Sequence, residues 1–200
     1  MALVERRLKD AFSREEGFAF EVEGAPKDID AARDLAERDR LQFQYWACSL
    51  LLARPVDRPK KGGDQGVDGV MFFNDEGPKA PLKKIVISVK SGGNLNPGMV
   101  RDLAGTVRRE KAVMGIFLTL AEPTKGMLQE ATASGEYVSP LNRERYPAVQ
   151  IVTVQKLLGG GRPKLPPDLT SGEASHRKNR AAARGPEPKG LDIAALDSPE

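Results

Sequence analysis

The sequence predicts an α/β fold with a central mixed β-sheet flanked by helices, and three observations carry that prediction. Two strand-length apolar runs, 67–73 and 84–90, are separated by Asn74, Asp75, Gly77 and Pro78, the breakers of a hairpin. A third run, VMGIFLTL at 113–120, is almost wholly apolar, as in strands buried on both faces. Between and around these runs the apolar spacing switches to the 3.6-residue period of helices, which gives layers of helix on sheet.

The elements follow in order. Residues 1–24 read as a leader, a short amphipathic helix (Leu3, Leu8, Phe12) and a strand-like FAFEV. Gly24, Pro26, Asp28 and Asp30 break the chain and offer helix caps. From 31 to about 52 one helix is expected, with Phe43, Trp46, Ala47, Leu50 and Leu51 on a single buried stripe. Trp46, Tyr45 and Cys48 then belong to the core, Cys48 as an inert thiol. Asn96-Pro97 starts a helix running to about 112, with Asn as cap and Pro in the first turn. Its inward residues are Val100, Leu103 and Val107. Arg101, Arg108, Arg109 and Lys111 lie off that stripe and are expected to form one basic face. Pro123 opens another helix, closed by Gly135, with Met127, Leu128 and Ala131 as its apolar side. A short strand at 149–154 and a helical turn at 155–158 complete the domain, whose expected limits are 25–161. From 162 to 200 Pro, Gly, Ser and charged residues dominate. That stretch reads as a disordered tail, with 165–200 dispensable for folding.

Composition narrows the function. Hydrophobic residues at 40% and charged ones at 30% suit a globular chain, and no apolar run nears the ~20 residues that span a bilayer. MALVERRLKDAF lacks the apolar core of a signal peptide, so a cytoplasmic protein is expected. The single cysteine excludes internal disulfides and multi-cysteine zinc sites. The single histidine, His176, falls in the tail, which excludes a hydrolase built on a core histidine base. Residues 1–53 hold 8 Lys+Arg against 11 Asp+Glu, whereas 54–112 hold 12 against 7. Positive charge gathered around one segment points to a polyanionic substrate.

That segment contains the candidate site. A glycine-studded turn (Gly62, Gly63, Asp64, Gln65, Gly66) leads into a strand with one carboxylate, Asp68. On the returning strand Ser88 and Lys90 share one face, while Ile87 and Val89 share the other. A lone strand carboxylate is costly to bury without a partner or a metal. Asp68 with Lys90 suits Mg²⁺- or Mn²⁺-assisted phosphodiester hydrolysis. Mg²⁺ takes one or two carboxylates plus phosphate and water oxygens. The metal ligands expected are Asp68 and the Val89 carbonyl, with Asp64 and Glu37 as candidates for a second carboxylate. Ser88 and Lys90 join Asp68 as catalytic residues. Lys60, Lys61, Arg101, Arg108, Arg109 and Lys111 are the DNA-binding candidates.

Asp68, followed 21 residues later by Val89-Lys90, resembles the D…(D/E)xK constellation of the PD-(D/E)xK nucleases. GDQGVDGV with IVISVKSGG is similar to the Mrr-like restriction endonuclease branch. The likeness extends over about 25–160, through DIDAARDLAERDRLQFQYWACSLL, VRDLAGTVRREKAVMGIFLTLAEPTKGMLQEA and YPAVQIVTVQKLL. Over that span the chain resembles the nuclease-like C-terminal domain of some bacterial DNA methyltransferases. The resemblance implies a restriction-endonuclease-like core, a metal on Asp68, a catalytic lysine at Lys90 and double-stranded DNA as substrate. It implies a restriction-modification setting too, with a DNA methyltransferase as partner. Ser88 departs from the pattern, since active members carry Glu or Asp there and Mrr-like ones often Gln. No (D/N)PP(Y/F/W) methyltransferase motif is present, because Pro166-Pro167 precedes Asp168. Three classes stay open: an active endonuclease, a weak or inactive nuclease fold that binds DNA for a methyltransferase, and an interaction domain with a relic site. A homodimer is compatible with each.

Overall fold

A computed structural model describes residues 24–56, 66–77 and 79–169. The leader helix, the FAFEV strand, the basic pair Lys60 and Lys61, Asp64 and the chain beyond 169 lie outside the described residues.

Two helices, α1 (Ile29–Arg38) and α2 (Arg40–Leu50), stand where one was expected. Asp39 is the reason. Its amide closes the first helix on the Leu35 carbonyl, and its side chain accepts from the Leu41 and Gln42 amides to cap the second. The apolar stripe runs on across the break, so hydrophobic spacing alone does not reveal it. Phe43, Ala47 and Leu51 are buried, with Trp46 and Leu50 packed at their margin.

The sheet orders as β1-β2-β3-β4-β7, from β1 (Arg54–Pro55), β2 (Gly69–Phe73), β3 (Lys83–Lys90), β4 (Met114–Thr119) and β7 (Val149–Thr153). The first three strands run antiparallel, and β3, β4 and β7 run parallel. The sheet is therefore mixed, as expected. Helix α3 (Pro97–Arg109) starts on the Asn96 cap, whose side chain takes the Met99 amide. Helix α4 (Lys125–Ala133) is capped by Thr124. Both cover one side of the sheet, where Val86, Phe117 and Val149 meet Val100, Leu103, Val107 and Met127. On the opposite side α1, α2 and α5 (Val154–Leu158) cover Ile85, Ile87, Val89, Ile116 and Val152. Leu128, expected on the apolar side of α4, is 49% exposed. Among the described residues no helix is long and apolar enough to cross a membrane.

Two features went unanticipated. A small antiparallel hairpin of β5 (Glu136–Val138) and β6 (Arg145–Pro147) precedes β7. And residues 162–169, read from composition as tail, are packed onto the domain. Lys164 exchanges two hydrogen bonds with the Gln150 side chain, at 2.7 and 2.9 Å. Pro166 is buried, the Asp168 carboxylate accepts from the Asn74 amide at 3.0 Å, and the Leu169 amide donates to the Asn74 carbonyl at 2.8 Å. The packed region thus extends eight residues past the expected boundary.

Candidate active site at the β2–β3 edge

Asp68 immediately precedes β2, and its amide donates to the Ile87 carbonyl at 2.8 Å, continuing the ladder by one residue. Beyond that point β2 no longer supplies main-chain partners to β3. The Asp68 side chain does so instead, its Oδ2 accepting from the Val89 amide at 2.7 Å. In an extended strand a residue's N–H and C=O point to the same edge, so the Val89 carbonyl faces the Asp68 side as well. The structure therefore brings a carboxylate and a carbonyl oxygen to one spot. Asp68 is 8% exposed, which fixes the carboxylate rather than leaving it to solvent.

Strand register sets the rest. Gly69 pairs with Ile87 and Val70 with Val86, so Asp68, Ser88 and Lys90 fall on the α3 side. Ile87 and Val89 point the other way, into the core beneath α2, as expected. Ser88 is 4% exposed, closed over by its neighbours, while Lys90 is half-buried at the strand's end. No described residue forms an ion pair with Lys90.

Two close packings, neither legible in the sequence, support the aspartate. Cys48 lies directly under it: the thiol donates to the Asp68 carbonyl at 3.6 Å, and a Cβ added at Gly69 would stand 2.7 Å from the sulfur. Burial, with the Asp68 charge adding to it, pushes the Cys48 thiol up to about 12, so it is inert as expected. Gly66 adopts φ +73, a left-handed conformation that favours glycine, and a Cβ there would sit 3.7 Å from the Thr106 hydroxyl of α3. That hydroxyl accepts from Arg109 at 3.1 Å, so the basic helix faces the glycine turn at this point.

The basic candidates are exposed but do not form the one face expected. Arg101 is ion-paired with Glu130 of α4. At about 100° per residue, Arg108 projects within about 20° of Arg101, whereas Arg109 lies some 100° further round. Lys111 is past the helix end at φ 51. The charges thus divide between the α4 side and the side facing Gly66.

The donor set can be tested against a divalent metal. Among the described residues no group of three or more His, Cys, Asp or Glu side chains is placed to hold one. Glu37 is exposed on α1, which packs against α2 and α5. Asp68 accepts from the Val89 amide beside the Val89 carbonyl, and a carboxylate has about four acceptor sites on its two oxygens. One carboxylate, one carbonyl, phosphate oxygens and water satisfy the preferences of Mg²⁺. The residues present fit the ion, as a lean site.

The restriction endonuclease family model Mrr_cat matches residues 35–158. Among solved structures, the chain is similar to the MspJI restriction endonuclease in complex with a 27-mer oligonucleotide, at 14% identity and a TM-score of 0.47. That match covers 70% of this chain and 34% of the other, so the present chain spans about a third of its length. No curated protein is matched.

Proposed function

This chain belongs to the Mrr_cat restriction endonuclease family, and from that premise we propose that it is a metal-dependent DNA endonuclease whose site is Asp68, the Val89 carbonyl and Lys90. The observation carrying the proposal is the 2.7 Å bond that holds the Asp68 carboxylate on the Val89 amide, next to the Val89 carbonyl and two residues' span from Lys90.

Each residue has a definable part. Asp68 and the Val89 carbonyl hold Mg²⁺ or Mn²⁺, and the Val89 amide keeps the carboxylate from rotating away. The bound ion supplies Lewis acidity and a more acidic water. Lys90 places its ammonium where charge grows on the phosphoryl oxygens, in a site partly shielded from solvent. Arg109 and Arg101 contact flanking phosphates, and DNA affinity should fall steeply with salt. The setting is a restriction-modification system in the cytoplasm, with a DNA methyltransferase as associated domain or subunit. The likeness of 25–160 to methyltransferase C-terminal domains supports that setting.

A second reading, a weak or inactive nuclease fold that positions DNA for a methyltransferase, is favoured by Ser88 standing in place of an acid. One experiment separates the two. Plasmid nicking is measured in Mg²⁺, Mn²⁺ and EDTA for the wild type, Asp68→Ala and Lys90→Ala, with duplex affinity followed in parallel. The endonuclease reading expects metal-dependent nicking that falls at least about a hundredfold in both variants, with affinity little changed. Duplex binding without any metal-dependent nicking establishes the second reading instead.

A further inference from the structure

The α3-side face of β2 is left open by the helices that cover its neighbours. Register places Arg54, Val70 and Phe72 on the same face as Val86 and Lys84, since Arg54 pairs with Val70, Val70 with Val86 and Phe72 with Lys84. Val86 is fully buried under α3. One strand over, the cover has ended: Phe72 is 49% exposed, Val70 is half-buried and Arg54 is exposed. The flank of α3 and the row on β2 therefore make a step, with Asp68 at one end of the row and Phe72 about 13 Å along it. Arg54 borders the step on the β1 side, and Arg109, held by Thr106 above Gly66, borders it at the Asp68 end.

We propose that this step is a binding track for an unpaired DNA strand leading to Asp68, with the Phe72 ring as a stacking platform for a base. The inference rests on the nuclease reading of Asp68 and names the form of DNA that the site takes. A paired duplex presents phosphates and sugars, which cations alone can meet. An apolar floor with an exposed aromatic ring and cations at its rim instead matches a strand whose bases are out of the stack, offering π-faces together with negative charge. The continuity of the step with the Asp68 carboxylate places that strand next to the bond to be cut. The preferred substrate is then a duplex with a single-stranded or frayed flank.

The test compares fluorescence anisotropy of a blunt duplex with that of the same duplex carrying a single-stranded extension. The wild type should favour the extended probe by about tenfold, the scale of one base–aromatic stack. Phe72→Ala should lose that preference while binding the blunt duplex as before, and Phe72→Trp should keep it. Equal affinity of the wild type for both probes overturns the track but leaves the nuclease reading intact if plasmid nicking persists. A Phe72→Ala protein that changes its sedimentation while keeping the preference overturns the track too, and makes the step a contact between copies of this chain. Failure of the wild type to bind either probe or to nick DNA removes the nuclease reading and this inference with it.

Discussion

The β2–β3 hairpin carries the same two residue types at both of its ends. Asp68 precedes β2 and Asp75 follows it; Lys83 opens β3 and Lys90 closes it. At the far end the pair is closed. The Asp75 carboxylate, with no solvent exposure, takes the Lys83 ammonium at 2.8 Å and the Tyr137 hydroxyl at 2.8 Å, and the ammonium itself lies 5.4 Å above the Tyr137 ring. At the near end Asp68 accepts from the Val89 main-chain amide, and among the described residues Lys90 forms no ion pair with it or with any other acid. A buried carboxylate neutralised by its own lysine is saturated and can only hold the fold together. At the near end the lysine sits further along the strand and is not spent on Asp68. On the proposed function the far end serves the fold and the near end the chemistry.

The largest effect should come from opening the closed end. Asp75→Ala leaves the Lys83 ammonium among poor partners, which typically costs about 3–5 kcal/mol. Glu76 stands 3.4 Å from the same ammonium and pulls the loss toward the lower figure. For a chain of this size that is a fall of about 6–12 °C in melting temperature, read by calorimetry, with nicking per folded molecule unchanged below the transition. The acid limb gives a second reading. Burial pushes the Asp75 carboxyl up, but the bonds from Lys83 and Tyr137 and the Lys83 charge prevail and hold it below its ordinary range. The buried Ser139 hydroxyl adds to that lowering, although among the described residues it makes no hydrogen bond of ordinary geometry. A depressed carboxyl contributes stability above its unfolded value, near pH 4, and loses it as pH falls through the folded value. Wild-type stability should therefore drop on acidification below about pH 4, and an Asp75→Asn protein should show a shallower fall over the same window. Equal acid limbs in the two proteins would remove Asp75 from the closed end's account.

A smaller loss should follow from the strap at 162–169, which braces the closed end by bonding Asn74, the residue directly after β2. Truncation after Leu169 should leave melting unchanged. Truncation after Leu165 removes buried Pro166 and two hydrogen bonds at Asn74, one from its amide to the Asp168 carboxylate and one from the Leu169 amide to its carbonyl. Those contacts together are worth about 2 kcal/mol, or about 4–8 °C. Composition alone assigned 165–200 to a dispensable tail. Four of those residues, 166–169, are packed on the domain, and two prolines followed by Asp168 and Leu169 carry no periodicity for a pattern to detect.

What was legible elsewhere follows the same logic. The apolar run of β4, the Asn96-Pro97 cap and the parity of Ser88, Val89 and Lys90 are local signals, and the structure keeps them. The Asp39 break interrupts no hydrophobic period, and β5 and β6 are three residues each with Tyr146 alone buried, so neither left a pattern. At the site, Asp68 and Val89 could be brought together on paper because strand alternation is a local rule. Cys48 beneath Gly69, Thr106 above Gly66 and Tyr137 on Asp75 could not. Each joins residues 20 to 62 positions apart, or elements on different layers, through packing that only the folded chain specifies.

The finest test adds charge to the open end. Ser88 occupies the position on the α3 side between Val86 and Lys90, at 4% exposure. Ser88→Glu puts a second carboxylate on the face that Asp68 and Lys90 share. If Asp68 is the only carboxylate on the ion, the new one should tighten Mg²⁺ by about tenfold, or 1.4 kcal/mol, and raise nicking in the same direction. Because the added charge is buried, the variant should melt below wild type in EDTA and recover part of the difference in Mg²⁺, as binding to the folded state requires. The rival arrangement, in which Asp64 or Glu37 already completes the site, expects crowding: weaker Mg²⁺ binding, slower nicking and no recovery of melting temperature. Titration calorimetry with Mg²⁺ and melting in the two buffers read the choice directly. A variant whose affinity and melting are both indifferent to Mg²⁺ would show that this end of the hairpin holds no metal, and the division between a closed structural end and an open chemical one would have to be abandoned.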